Sequence, residues 1–252
     1  MPLGLNPREV LGVVRDTRHR AEAAKPIVVA GVLAGELAKQ LGAGGEPGAV
    51  RVGGDPSGSA ALVLVLAGEP TDADIEQLRA AARAVVPTIA VQTGREQTLR
   101  VPYVLATDIV HCPPGKGFPV EEIAAALARR LAADGVALAA RLPVMRAAVS
   151  ERLIAHASRA GALIGLLPRG RARFPLLALA QLRLVLYLAA AHGRELGPDR
   201  APEVGAVLGT GLALRTGVRR LGLAGSRVVG GVTGYAGTRA LGEAAVRRFG
   251  GG

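Results

Sequence analysis

The chain has 252 residues, half of which are hydrophobic, and it carries a formal net charge of +11 at pH 7. That length and that hydrophobic share suffice for one large domain or two small ones with a buried core. Cys112 is the single cysteine, which excludes a disulfide framework and a cysteine-rich metal site and favours a reducing compartment.

The distribution of charged residues along the chain excludes two further classes of protein. Arg8 and Glu9 precede any apolar run, which argues against a secretory signal. The longest uncharged stretch, residues 56–68, has thirteen residues, whereas a spanning helix needs roughly 18 to 20. We expect a cytoplasmic protein without a simple transmembrane helix.

The positive charge is concentrated in the second half of the chain. Residues 1–134 hold 14 basic and 15 acidic residues, a net charge of −1. Residues 135–252 hold 17 arginines and five acidic residues, a net charge of +12. A neutral module joined to a basic, apolar module predicts two halves with different partners.

The first half is predicted to alternate strands with helices. Asn6, Pro7 and Glu9 form a helix-start signature, so a lead-in helix is expected over about 7–22, within residues 1–24. Strands that are apolar on both faces and alternate with helices indicate a parallel sheet covered on both sides, so residues 25–134 are predicted to form an α/β domain. The apolar runs that predict strands are 26–31, 48–52, 61–68, 86–92 and 101–107. The predicted helices end near residue 41 and cover about 72–84 and 120–131.

In such sheets the ligand binds at the carboxyl ends of the strands. After the first predicted strand, Gly31 and Gly35 occupy the place of a phosphate-binding loop, which needs a Gly-Lys-Ser/Thr ending. The corresponding residues here are Glu36, Leu37 and Ala38, and a carboxylate at this place would repel phosphate. Gly31 and Gly35 are therefore interpreted as a tight strand-to-helix turn, with a residual phosphate contact as the alternative.

Two longer segments of this half carry a family resemblance. ALVLVLAGEPTDADIEQLRAA (61–81) resembles the strand and helix that follow the second magnesium motif of Era-like GTPases, and GKGFPVEEIAAALARRL (115–131) resembles their last loop and helix. The resemblance implies a degenerate GTPase-like domain, with its nucleotide motifs altered, over about 25–133. The vestigial nucleotide-loop positions are Gly31, Gly35, Asp55, Gly58, Gln92 and Thr93.

These altered motifs argue against nucleotide hydrolysis. Asp55 to Gly58 has an Asp-x-x-Gly form but consists of turn-forming residues, and Gln92 and Thr93 stand where the family reads guanine with Asn-Lys-x-Asp. We therefore expect no cofactor, no metal and no catalytic residue.

Three weaker signals in this half have a structural and a functional interpretation each. Thr71 followed by Asp74 predicts a helix cap. His111 and Cys112 could form a nucleophile pair, although no third group orients them, so loop packing is the first interpretation. The Gly115–Gly117 loop could hold an anion on its backbone, which is a weak signal.

The second half, residues 135–252, is predicted to be wholly helical. Helices are expected over 143–166, 175–191, 202–221 and 227–249, most of them opened by a proline. Glycine pairs with Gly-xxx-Gly spacing, which allows close approach of helix backbones, occur inside them. The pairs are Gly161 with Gly165, Gly205 with Gly209, and Gly230 with Gly234.

This half also carries a family resemblance. The segments PVMR (143–146), LALAQLRLVLYLAAAHGREL (177–196) and GGVTGYAGTRALGEAAVRRF (230–249) resemble the YcjF-type family. That family is a bacterial domain encoded beside, or fused after, Era-like GTPases and is frequently membrane-associated. The resemblance implies association with a membrane or a GTPase-like neighbour.

The basic residues of this half predict a contact surface for anionic lipid or for a protein partner, because arginine stems lie along apolar surface while their heads reach phosphates. A solvated face of a soluble bundle is the alternative. The predicted contact residues are Arg169, Arg171, Arg173, Arg215, Arg219 and Arg220.

Three functions follow from the sequence, in order of preference. The first is a non-catalytic adaptor at the inner face of the cell membrane or on a protein partner, with a homo-oligomer left open. The second is a GTP hydrolase with a non-standard phosphate loop. The third is nucleic-acid binding, for which the second half has few aromatic residues to stack on bases.

Overall fold

The computed structural model describes residues 25–94, 100–131, 134–167, 173–194 and 227–250. The predicted helices over 7–22 and 202–221 lie outside these residues, as does the pair Gly205 and Gly209. The strands are β1 (Ile27–Gly31), β2 (Val50–Val52), β3 (Ala61–Leu66), β4 (Thr88–Thr93) and β5 (Ile109–Cys112). The helices are α1 (Ala34–Leu41), α2 (Asp72–Arg83), α3 (Val120–Leu131), α4 (Asp134–Arg141), α5 (Pro143–Leu166), α6 (Arg173–Ala191) and α7 (Arg227–Gly250).

The five strands form one parallel sheet in the order β2-β1-β3-β4-β5. Every residue of β3 is buried, as expected for a central strand covered on both faces. This is the doubly wound order 2-1-3-4-5, whose switch point lies between β1 and β3. The prediction of an α/β first half with a parallel sheet followed by a helical second half is confirmed.

The predicted strand over 101–107 is wrong. The chain turns there, with Tyr103 in the left-handed region at a φ of 63°, and a short 3₁₀ turn follows over Ala106–Asp108. Val101 is buried in the core beside β3 and β4, so its apolar character reflects loop packing. The fifth strand is the half-buried Ile109–Cys112, which carries only four residues and no long apolar run.

The helix signals were more reliable than this strand signal. The Thr71 backbone N–H donates to the Asp74 carboxylate at 2.9 Å, and the Asp74 N–H donates to the Thr71 hydroxyl at 3.3 Å, which is the predicted capping box. Helix α5 has the predicted bounds, Pro143–Leu166, and α7 extends one residue beyond its predicted end.

The contacts divide the chain into two compact units, with the division inside α5. The first, here called the sheet unit, contains the described residues up to Val149. The second, here called the bundle, contains the described residues from Ser150 and consists of helices. None of the described helices combines the length and the hydropathy that crossing a bilayer requires.

The bundle is held together by close backbone contact as well as by side chains. A β-carbon built on Gly165 would lie 2.2 Å from the carbonyl oxygen of Gly230, and one on Gly234 would lie 2.2 Å from that of Gly161. These distances leave no room for any side chain. The Gly-xxx-Gly pairs of α5 and α7 therefore do bring two helix backbones into contact, as their spacing indicates.

Candidate functional site at the carboxyl edge of the sheet

The loop after β1 lies at the switch point and turns tightly across β3. The Val32 N–H donates to the carbonyl oxygen of Val65 at 3.0 Å, and Gly31 has a φ of 89°. A β-carbon on Gly31 would lie 2.1 Å from that same oxygen. Gly31 is thus required by a strand-to-helix turn, which agrees with the first interpretation of the sequence. Gly35 differs, because a β-carbon there would meet no atom within 4 Å.

The residues that follow this turn do not fit a phosphate group. Leu33 stands at the start of α1 in the left-handed region, at a φ of 53°, and its side chain makes no capping hydrogen bond. Its side chain is 60% exposed, and that of Val32 is 45% exposed. Glu36 occupies the first turn of α1, where an anion would otherwise benefit from the positive end of the helix.

The Asp55 to Gly58 segment forms a turn. The Asp55 carboxylate accepts a hydrogen bond from the Ser57 hydroxyl at 2.5 Å and another from the Ser57 N–H at 3.0 Å. These two bonds, the hydroxyl one first, hold the pKa of Asp55 below its ordinary value. The carboxylate caps the short 3₁₀ turn over Pro56–Gly58, which leaves its two oxygens engaged within the turn.

The two vestigial positions on β4 are also engaged inside the sheet unit. The Thr93 hydroxyl donates to the carbonyl oxygen of Leu66 at 3.1 Å, which ties the end of β4 to the end of β3. Gln92 is buried, 7% exposed, and lies opposite His111 in the register of β4 and β5. Neither residue has the carboxylate that pairs with guanine in the family motif.

His111 and Cys112 do not form a nucleophile pair. They are adjacent residues of a strand, so their side chains point to opposite faces; Cys112 is buried and His111 is exposed. The Cys112 thiol donates to the carbonyl oxygen of Gly117 at 3.0 Å, and burial raises its pKa. A raised pKa keeps the thiol protonated at neutral pH, which disfavours nucleophilic attack.

The carboxyl edge is acidic because the helices that follow the strands begin there, and acidic residues favour helix starts. Among the described residues of this edge, Lys116 provides a positive charge. The acidic residues of the loops and first helical turns are Glu36, Asp55, Glu69, Asp72, Asp74, Glu121 and Glu122. A phosphate ligand would meet predominantly negative charge here.

Sequence analysis missed one buried ion pair at the opposite, amino edge. Asp108 is 2% exposed, and its carboxylate accepts a hydrogen bond from the Nε of Arg130 and forms an ion pair with one of its Nη atoms. Arg129 donates to the backbone carbonyl of Thr107 at 2.9 Å. These contacts fix the turn before β5. Their partners are 22 residues apart, so no local sequence pattern reveals them.

The side chains of the six arginines predicted to contact a membrane or partner lie outside the described residues. Arg169, Arg171, Arg215, Arg219 and Arg220 lie outside the described residues. Arg173 is the first residue of α6, and its side chain also lies outside them.

Comparison of the chain with protein-family models, with curated proteins and with solved structures gives no match in any of the three. The likeness to Era-like GTPases and to the YcjF-type family therefore stays a prediction. Within the described ranges, no three His, Cys, Asp or Glu residues are grouped so as to hold a metal ion.

Proposed function

We propose that the protein is a non-catalytic adaptor, in which the degenerate GTPase-like sheet unit binds a protein partner and the basic second half associates with a membrane surface or a partner. The proposal rests on which residues stand at the switch point between β1 and β3. Apolar side chains and carboxylates stand where a nucleotide-binding sheet needs backbone and lysine donors.

The exposed apolar residues at this edge support protein binding in particular. Val32, Leu33 and Val52 follow or end neighbouring strands and are 45%, 60% and 60% exposed. Leu33 also adopts a left-handed backbone, which costs roughly 1 to 2 kcal/mol for a residue other than glycine. Strain at an exposed apolar residue is a reason to look for function. Together with the acidic rim, these residues suit a partner surface that is apolar at its centre and basic around it.

The second half of the proposal rests on composition. The net charge of +12 over residues 135–252 favours an anionic surface, and the predicted arginine contacts are the residues through which that attraction would act. The localisation that follows is the inner face of the cell membrane.

Two measurements on the full chain test the two halves separately. Titration calorimetry with GTP and Mg²⁺ should give no binding heat, whereas measurable binding would favour the alternative of a GTP hydrolase with a non-standard loop. Sedimentation with phosphatidylglycerol-containing vesicles should show salt-sensitive binding. If the protein stays in the supernatant at low salt, the membrane half of the proposal fails while the protein-binding half stands.

A further inference from the structure

One end of the bundle carries a set of exposed, large apolar side chains. They belong to the last turn of α5 and the residue after it, to the first turn of α6, and to the first third of α7. We call this set the apolar collar. Its members are Leu163, Leu166, Leu167, Leu176, Val232 and Tyr235, which are 67%, 45%, 44%, 46%, 63% and 37% exposed.

The members from α5 and α7 lie at the same level because these two helices run antiparallel. Gly165 contacts Gly230, and Gly161 contacts Gly234, so Val232 is level with Leu163. At the other end of the bundle, in contrast, Phe249 is 7% exposed and its ring lies 6.4 Å from that of His192. The two ends of the same bundle therefore differ in how much apolar surface they present.

The collar members of α5 form an apolar stripe beside the contact with α7. Leu163 is two residues from Gly161, which places it about 200° around α5 from the glycine contact with α7. Leu166 follows three residues later on the same side of α5, and it also reaches toward Gly231 of α7. An apolar stripe with basic residues beside it suits the interfacial region of a bilayer.

The charges near the collar suit an anionic surface. The described carboxylates of the bundle, Glu151 and Glu243, lie toward the far end, where Ile154 contacts Gly242. Ile154 is nine residues from Leu163, or about 14 Å along the helix. Arg159 is exposed one turn from Leu163. In the sequence, Arg169 follows Leu167 by two residues.

We propose that the apolar collar is the part of the protein that enters the interfacial region of an anionic bilayer, with the neighbouring Arg159 held at the lipid phosphates. This inference rests on the proposed membrane association and deepens it, because it assigns the contact to named apolar residues. Binding then has an apolar component that persists when salt screens the charges.

The chain contains no tryptophan, so a single introduced tryptophan reports on its own site. Leu163→Trp places the reporter in the collar, and Val85→Trp places a matched reporter at an apolar residue of the sheet unit that is 87% exposed. Both full-length variants are mixed with phosphatidylcholine vesicles with and without phosphatidylglycerol. We expect a blue-shifted emission, quenched by brominated lipid, for Leu163→Trp that is larger with the anionic vesicles than with phosphatidylcholine alone, and no shift for Val85→Trp.

A second pair of variants measures the energetic importance of the collar. Leu163→Glu combined with Val232→Glu should lower vesicle binding about tenfold or more, because it places carboxylates in the interface. Val85→Glu combined with Leu105→Glu, two exposed positions of the sheet unit, is the control for the two added charges and should bind as the wild type does. Circular dichroism and gel filtration check that each variant is folded.

The outcomes separate the collar from the proposed function. If the wild type sediments with vesicles but the collar tryptophan does not shift and the double glutamate variant still binds, the collar is not the contact and the proposed function stands. If the wild type does not sediment at all, the collar inference and the membrane half of the proposed function both fail. If the collar tryptophan shifts without vesicles in proportion to protein concentration, the collar joins two copies of the chain and the membrane inference is overturned.

Discussion

The sheet unit and the bundle differ in the part that glycine plays in their packing. In the sheet unit, large aliphatic side chains such as those of Leu62, Leu64 and Ile89 are fully buried, and the glycine at position 31 is confined to a turn. In the bundle, which also buries side chains such as that of Leu188, glycines near the end of α5 and the start of α7 place backbone against backbone. Adding atoms at these helix glycines should therefore damage the bundle, whereas the sheet unit should be most sensitive to the removal of buried atoms.

The buried polar groups of the two units also differ. The sheet unit buries the Asp108 carboxylate paired with Arg130, so removal of that arginine is costly. The bundle buries the hydroxyls of Ser150 and Ser158, which have no hydrogen-bond partner among the described residues; the Oε1 of Gln77 in the sheet unit is in the same position. The variants below are ordered by the size of the effect we expect on the free energy of unfolding.

Leu64→Ala should have the largest effect. The Leu64 side chain is fully buried on β3, so truncation removes apolar contact and leaves a cavity, at a cost of about 2 to 5 kcal/mol. Urea denaturation followed by circular dichroism measures the loss. Val52→Ala, at a residue that is 60% exposed, should change stability by less than about 0.5 kcal/mol and is the control. If the two variants lost the same free energy of unfolding, β3 would not be the centre of the core.

Gly165→Ala should destabilise the bundle even though alanine favours helices. The added methyl would lie 2.2 Å from the Gly230 carbonyl oxygen, so α5 and α7 must separate, at a cost of about 1 to 3 kcal/mol. Gly237→Ala in the same bundle meets no atom within 4 Å and should instead stabilise it by about 0.5 to 1 kcal/mol. Thermal unfolding of both variants tests whether stability falls for Gly165→Ala and rises for Gly237→Ala. A gain in stability for both would contradict the backbone contact between α5 and α7.

Arg130→Ala should cost the sheet unit about 2 to 3 kcal/mol, because Asp108 is then buried without its partner. A fully buried pair would cost more, but the Arg130 side chain is 36% exposed. Arg129→Ala removes a single bond to the Thr107 carbonyl and should cost about 1 kcal/mol or less. Urea unfolding of the two variants measures the difference between their midpoints. If the midpoints were equal, the ion pair between Asp108 and Arg130 would not stabilise the sheet unit.

Ser158→Ala should leave the bundle unchanged or stabilise it by up to about 1 kcal/mol. The Ser158 hydroxyl is fully buried and lacks a partner, so its removal relieves a desolvation cost. Ser150→Ala is a second instance and should behave in the same way. Calorimetry measures the stability of both variants. A clear loss of stability in either one would mean that its hydroxyl does have a hydrogen-bond partner.

The smallest effect concerns pH and the turn after β2. The lowered pKa of Asp55 means that the folded state favours its carboxylate, so this stabilisation is present above the unfolded pKa and is lost as pH falls through the folded pKa. Ser57→Ala removes the largest cause of the shift and should return the pKa toward its ordinary value. A carbon-detected NMR titration of Asp55 compares the two proteins, and equal values would exclude the Ser57 hydroxyl as the cause.

Periodicity and helix-start residues predicted most of the fold. Buried strands such as β3 are apolar on both faces, and helices such as α2 and α5 begin at a capping box or a proline, so the local sequence contains their signals. The error at 101–107 has a physical cause: Val101 is apolar because a loop packs into the core there, and apolarity alone cannot separate a packed loop from a strand.

The candidate site was predictable in part. The tight turn at Gly31, the turn that begins at Asp55 and the misfit of Glu36 to phosphate all follow from short-range chemistry. The exposure of Leu33, the pairing of Asp108 with Arg130 and the apolar collar depend on which surfaces other segments cover. Those features arise from contacts between distant parts of the chain, which no local pattern encodes.

The glycine contact between α5 and α7 also limits how this protein can evolve. Every amino-acid replacement of glycine adds heavy atoms, so no point mutation at Gly161, Gly165 or Gly234 can be accommodated by a smaller side chain. Gly237, one turn further along α7, has open space beside it and is free to vary. Related chains that keep this bundle should therefore retain glycine at the first three positions and diverge at the fourth.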